Sequence, residues 1–419
     1  MELKVKYQYT YFIKPFLIKE NKYEKYLFSL LSNKNYKLKI FEKERDLNLY
    51  SYFIQNAREY FFPTFAFSKG NIRNLEEMDI KTKTKILSKF HCNIFEYKFD
   101  SKIQGKISDE KGIFFNISKV QLICFDSGIC FFVIKTYIED SERFTDLLNF
   151  NYKFKDINSD FSKLKDFSNI KIQTGKFSNM DELSEFIDKI IGTNSDIEEL
   201  KNIDLYNKRF FVYSYCCIDQ ENWNNVTDFE NLKTDFLKFS HALPSGKTID
   251  FDLQEINNTI KNAEKFKYSA FGFTKQSMGL MTSNIDIYNY TKLPFEYENE
   301  YLYTLIICLY QRIYLKKLER DFKDKKDILK TRQNFSKFTK EIWMNEITNS
   351  SKGTIIYNQL KENFELEKIY VEIKNKYNVI YKELNIDKEK RANKIILIIL
   401  AISIAFNIIN FITLVNILK

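Results

Sequence analysis

The chain has 419 residues, 44% of them apolar and 16% aromatic, which is material for two or three compact units and excludes disorder over most of its length. Only 10 glycines and 4 prolines leave little room for flexible linkers or glycine-rich phosphate loops. The net charge of +9 comes from 65 basic residues interleaved with 56 acidic ones, a mixed solvated surface, so no direct nucleic-acid partner is expected.

The opening MELKVKYQYT has no apolar core of the kind a secretory signal needs, and none is expected. Helical apolar spacing follows at 20–31 and 45–61. Residues 113–125 and 129–138 are rich in β-branched and aromatic side chains, and Asp126-Ser127-Gly128 between them predicts a hairpin turn. Ser178 and Asp181 suggest a helix start. Leu183, Phe186, Ile187, Ile190 and Ile191 then mark one helix face, closed by Gly192. RFFVYSYCCI (209–218) reads as a buried strand with Cys216 and Cys217 facing opposite sides, and 268–273 with 278–282 as a strand pair.

After about residue 296 strand signals give way to helical periodicity, with a helix over YENEYLYTLIICLYQRIYLKKLERDF, a second over 324–347 and a break at Asn349-Ser350-Ser351 and Gly353. No breaker follows Thr354. Leu366, Tyr370, Ile373, Tyr377, Ile380 and Leu384 are spaced as a and d positions, which predicts a stalk packed either against the chain's own helices or, as the favoured expectation, against other subunits. From Ile395 to Leu418 about 24 apolar residues would make a helix about 36 Å long, enough for a transmembrane span. Lys388, Lys390, Arg391 and Lys394 precede it, which predicts a single-pass protein of the inner (cell) membrane with the large N-terminal part cytoplasmic and lipid as a partner. Ser403, Asn407, Asn410 and Thr413 share one helix face, as interhelical glue or a pore lining.

Chemical motifs are sparse. The six cysteines lack CxxC spacing and suit a reducing compartment, and the two histidines have no metal-ligand spacing. Gly246-Lys247-Thr248 imitates the end of a phosphate loop, but His241 stands where that loop needs its first glycine. No catalytic residue, metal site or bound cofactor is expected, and the chain is read as a non-enzyme. For ligand binding, Trp223 and the strand pair bearing Phe271, Phe273, Lys275 and Gln276 offer aromatic and basic groups that could stack a base and meet a phosphate.

An α+β part followed by "YLYTLIICLYQRIYLKKLERDF" (301–322), a stalk and a C-terminal span resembles the CorA-like cation-channel superfamily. It resembles more narrowly the divergent CorA-like membrane effectors associated with type III CRISPR systems. The Gly-Met-Asn loop and second span of the magnesium channels are missing, so magnesium selectivity does not carry over. The resemblance implies antiphage defence, with a nucleotide second messenger (an S-adenosylmethionine–AMP conjugate or a cyclic oligoadenylate) as activating ligand.

The expected fold class is thus an α+β cytosolic region in two sensor parts (1–170 and 171–295), a helical stalk (296–394) and one C-terminal transmembrane helix (395–418). The expected function is a ligand-gated homo-oligomeric membrane effector. Its alternatives are a constitutive CorA-type divalent-cation transporter and a tail-anchored scaffold.

Overall fold

In the computed structural model the described residues are 2–99, 102–107, 112–156, 170–173, 180–192, 196–198, 209–219, 223, 229–249, 256, 268–324 and 328–417. Among the described residues twelve strands form one mixed sheet: β1 (Val5–Ile18), β2 (Tyr36–Leu38), β3 (Cys92–Tyr97), β4 (Ile103–Ile107), β5 (Ile113–Phe125), β6 (Ile129–Ile138), β7 (Ile170–Gln173), β8 (Met180–Glu182), β9 (Ile197–Glu198), β10 (Phe211–Ile218), β11 (Ser269–Phe273) and β12 (Ser277–Ser283). The main path runs β11-β12-β10-β1-β6-β5-β4-β7-β8, with β3 beside β5 carrying β2, and β9 beside β1. Strands of both expected sensor parts therefore share one sheet: β10 pairs with β1 antiparallel and with β12 parallel.

Both faces of the central strands are buried, which explains their nearly unbroken apolar runs. Successive side chains alternate between the two cores. Tyr9, Tyr11 and Ile13 of β1 enter one, Phe12 and Phe16 the other; Cys217 and Cys216 divide the same way, as the sequence predicts. Helices α1 (Tyr23–Ser32), α4 (Lys69–Glu77), α5 (Ile80–Leu87), α6 (Phe144–Phe154), α7 (Leu183–Ile191) and α8 (Lys233–Ser240) contribute to the second core. Gly192 closes α7 in the left-handed region at φ 75°, while Ser178 lies outside the described residues.

The first core is shared by α2 (Leu47–Tyr52), α3 (Gln55–Phe61) and four C-terminal helices: α9 (Leu302–Asp324), α10 (Ile328–Lys337), α11 (Ser351–Asn363) and α12 (Leu366–Ile417). The helical spacing at 45–61 thus resolves into two helices, separated at Phe53-Ile54, where Ile54 N–H donates to the Ile347 carbonyl at 2.9 Å. A π-helical turn, Tyr297–Tyr301, leads into α9, and a second, Phe338–Ile342, follows α10. The stretch after Thr354 is not one helix. It turns at Glu365, which takes φ 54° without being glycine, and α12 restarts at Leu366.

Two expectations are corrected here. Among the described residues no helix is long and apolar enough to cross a membrane, so the transmembrane helix at 395–418 and the single-pass inner-membrane placement are not supported. Helix α12 runs over 52 residues, Leu366–Ile417, and the residues just before Ile395 are charged: Lys390, Arg391 and Lys394. The architecture is an α+β body with a helical C-terminal part.

Candidate functional site

The strongest polar feature lies where the sheet meets the start of α9. Lys119 on β5 and Lys135 on β6 are cross-strand partners, and a bulge at Ser118 breaks the β5 register just before Lys119. Bulges re-aim a side chain by inserting an unpaired residue. Across from them the π-helical turn carries Glu298, whose side chain is 13% exposed. Its Oε1 accepts from Tyr11 Oη at 2.6 Å and Lys119 Nζ at 3.0 Å, and its Oε2 from Lys135 Nζ at 2.6 Å. Burial alone would raise this carboxyl, but Lys119 and Lys135, helped by the Tyr11 hydroxyl, outweigh it and hold it down at about 2. Lys135 also sits 4.5 Å from the centroid of the Tyr9 ring, a cation–π arrangement.

Tyrosines fix the turn itself. Tyr9 Oη donates to the Pro294 carbonyl at 2.6 Å and Tyr213 Oη to the Tyr297 carbonyl at 2.6 Å, while Tyr297 stacks on Tyr213 at 4.1 Å. Buried carbonyls near the widened turn thus gain partners from the sheet. Two residues on, Glu300 is pushed up to about 7 by burial and by the neighbouring charge of Glu296.

A second cluster fastens α9 farther along. The hairpin turn predicted at Asp126-Ser127-Gly128 is present, with Gly128 at φ 81°. Asp126 Oδ2 receives His91 Nδ1 at 3.0 Å and Lys337 Nζ of α10 at 2.7 Å. Burial would raise the Asp126 carboxyl, but these two bonds hold it below the ordinary range. His91 stacks on Tyr60 at 4.4 Å, and the Tyr60 and Tyr310 hydroxyls meet at 3.0 Å. Tyr310 Oη donates to Ser127 Oγ at 3.2 Å, and Lys317 Nζ donates to the Ser127 carbonyl at 3.1 Å. Tyr310 and Lys317 of α9 and Lys337 of α10 thus fasten the turn of the sheet to the helices.

From α9 the polar connections continue to the next helices. Glu319 accepts from Lys376 of α12 at 2.9 Å and from Lys316 at 3.1 Å, and Arg312 Nη1 donates to the Phe364 carbonyl at 3.4 Å, beside the Glu365 turn.

The residues expected to bind ligand do not converge. Trp223 is buried in the second core, stacked on Phe229 at 5.3 Å. Phe271 and Phe273 lie in the first core, across the sheet. Lys275 is ion-paired with Glu365 at 3.1 Å, and the Gln276 carbonyl accepts from Val212 N–H at 3.0 Å. Of the stalk positions, Leu366 and Ile373 are fully buried in the chain's own core. Tyr370 stacks on Trp343 at 4.6 Å, Tyr377 lies 4.9 Å from Phe335, and Ile380 packs against the same core. This is the intramolecular packing that the heptad spacing also allowed. Ser403, Asn407 and Asn410 are exposed on α12, whereas the side chains of Leu384 and Thr413 lie outside the described residues.

Sequence reasoning missed Lys119, Lys135 and Glu298. Their signal was the alternation of carboxylates and tyrosines in YENEY, opposite lysines inside otherwise apolar strands. No family profile matches the chain, and no curated protein or solved structure matches it either.

Proposed function

We propose that the chain is a ligand-responsive effector that works as a homo-oligomer. The sheet body senses a small ligand, α9 relays the change, and α12 associates with copies of itself. The observation that carries this reading is the fastening of α9 along its length: Glu298 ties its start to the sheet, Ser127 ties its middle, and Glu319 ties its far end to α12. A ligand that alters the first tie shifts the helices only through differential affinity for the two arrangements. The messenger class comes from the CorA-like resemblance: a nucleotide, such as an S-adenosylmethionine–AMP conjugate or a cyclic oligoadenylate, acting in antiphage defence.

The end of α12 supports self-association. Ile395, Leu397 and Phe406 are 58%, 66% and 63% exposed, and apolar side chains surround this stretch of helix. A helix apolar all round requires cover. Identical helices side by side supply it, and they also bring Ser403 and Asn407 of each copy within reach of their counterparts, as a polar residue in a coiled-coil seam sets register.

The test uses cysteine chemistry. All six native cysteines are buried, so Ser403→Cys adds an accessible thiol to the full chain. A bismaleimide should cross-link this variant into dimers and larger species, and adding Glu298→Gln should change the yield. Absence of cross-links refutes self-association through α12. An unchanged yield refutes the relay and leaves a static scaffold.

A further inference from the structure

We infer that Lys119 and Lys135 form a phosphate-binding site which the chain's own Glu298 carboxylate occupies in the resting state. This inference deepens the sensing reading above and rests on it, since it names where the ligand acts and by what chemistry.

Three features converge on the site. The bulge at Ser118 and the π-helical turn Tyr297–Tyr301 are both departures from regular structure, and each places one side of the same ion cluster. Irregularities of these two kinds concentrate at functional sites. The second feature is charge: two lysines share one carboxylate, so the cluster has an excess positive charge, with Lys135 only 15% exposed. A phosphate offers more acceptor oxygens and more negative charge than a carboxylate, and suits two lysines on adjacent strands better. The third is access. Lys119 is 32% exposed, so the cluster borders solvent at that lysine. The Tyr9 ring lies 4.5 Å from Lys135 and meets the more exposed Tyr7 ring edge-on at 6.0 Å, so an aromatic wall runs from that lysine toward solvent.

Glu298 is tethered, so it competes with free anions at high effective concentration. Entry of a phosphate at Lys119 and Lys135 displaces the carboxylate, and with it the turn from which α9 begins. No bond is made or broken. The exchange is of one anion for another on the same two ammonium groups, with the released carboxylate taking up water.

The experiment is calorimetric titration of the full chain with inorganic phosphate and, separately, with adenosine 5′-monophosphate, chloride serving as the control anion. Glu298→Gln should tighten phosphate binding by roughly tenfold or more over the unmodified chain, because the internal competitor is gone. Tyr11→Phe, which keeps every charge and removes one hydrogen bond to the carboxylate, should tighten it to a smaller degree and serves if Glu298→Gln does not fold. Lys135→Met placed on either variant should abolish the gain. Tighter binding of the nucleotide than of phosphate identifies a base stacked on the aromatic wall, and equal binding identifies phosphate recognition alone; both support the site. Equal affinity of the unmodified chain and both variants, or a gain that survives Lys135→Met, overturns it. If Glu298→Gln still alters the cross-linking of the Ser403→Cys chain while no anion binds, the site fails and the relay stands.

Discussion

Replacing Glu298 by glutamine keeps the shape of the side chain and removes its charge from between two lysines. The carboxyl is held at about 2 in the fold, against an ordinary value of 4.5. That gap corresponds to about 3 kcal/mol of stability at neutral pH. Because the folded value is depressed, the contribution is complete above about pH 4.5 and disappears as the pH falls through about 2. Glu298→Gln should therefore lose about 3 kcal/mol near pH 7, with Lys135 left buried beside a neutral amide. Urea unfolding of both proteins across the acid range measures the difference directly, and carboxyls common to both cancel from it. The gap should shrink toward zero near pH 2, where the native carboxyl is itself protonated. A gap of the same size at both ends of the range would refute the electrostatic assignment and leave a packing effect.

Gly128→Ala should lower stability by about 2–3 kcal/mol in thermal unfolding, because φ is 81° and a Cβ there would press on the Ile18 carbonyl oxygen. His241 is driven down to about 4 by burial and by the nearby Lys155 charge, so its own contribution to stability should fall by up to about 3 kcal/mol as the pH drops from 6.5 toward 4. Glu300 titrates over the same range with the opposite sign, so the measurement is the native profile minus that of His241→Gln, in which Glu300 cancels. Asp126→Asn should weaken the hold of Lys337 and His91 on the hairpin turn and cost about 1–3 kcal/mol. Hydrogen exchange would show it first at Ser127, Gly128 and α10.

Much of the sheet was legible because burial on both faces leaves a strong signature. The runs in β5, β6 and β10 are nearly all apolar, and the glycine turn between β5 and β6 announces their pairing. The alternation of Cys216 and Cys217 across the sheet follows from the two-residue repeat of a strand. Other features had no local signal. Phe53 and Ile54 carry neither glycine nor proline, yet α2 and α3 part there because tertiary hydrogen bonds to Ile347 and Thr348 hold the chain extended. The reversal at Glu365 was likewise silent, since its left-handed backbone follows a fully buried Phe364 and neither residue is a helix breaker in sequence. The heptad positions from Leu366 to Ile380 are apolar for a reason that spacing cannot separate from self-association: they pack into the core of their own chain. Lys119 and Lys135 were hidden because an isolated lysine in a strand looks the same whether it faces water or a buried carboxylate.

The central strand also constrains the order of events during synthesis. Strand β1 spans 14 residues near the N-terminus, yet its neighbours are Ile129–Thr136 on one side and Phe211–Ile218 on the other. It leaves the ribosome before either neighbour, with both rows of backbone donors and acceptors bare, and it keeps at least one row open until β10 has emerged. Contacts so distant along the chain form slowly, and an open apolar strand is a template for pairing with other molecules. Nascent chains of this protein are therefore most vulnerable to aggregation during the synthesis of the residues that separate β6 from β10, and a holdase that binds VKYQYTYFIKPFLI would act in that interval.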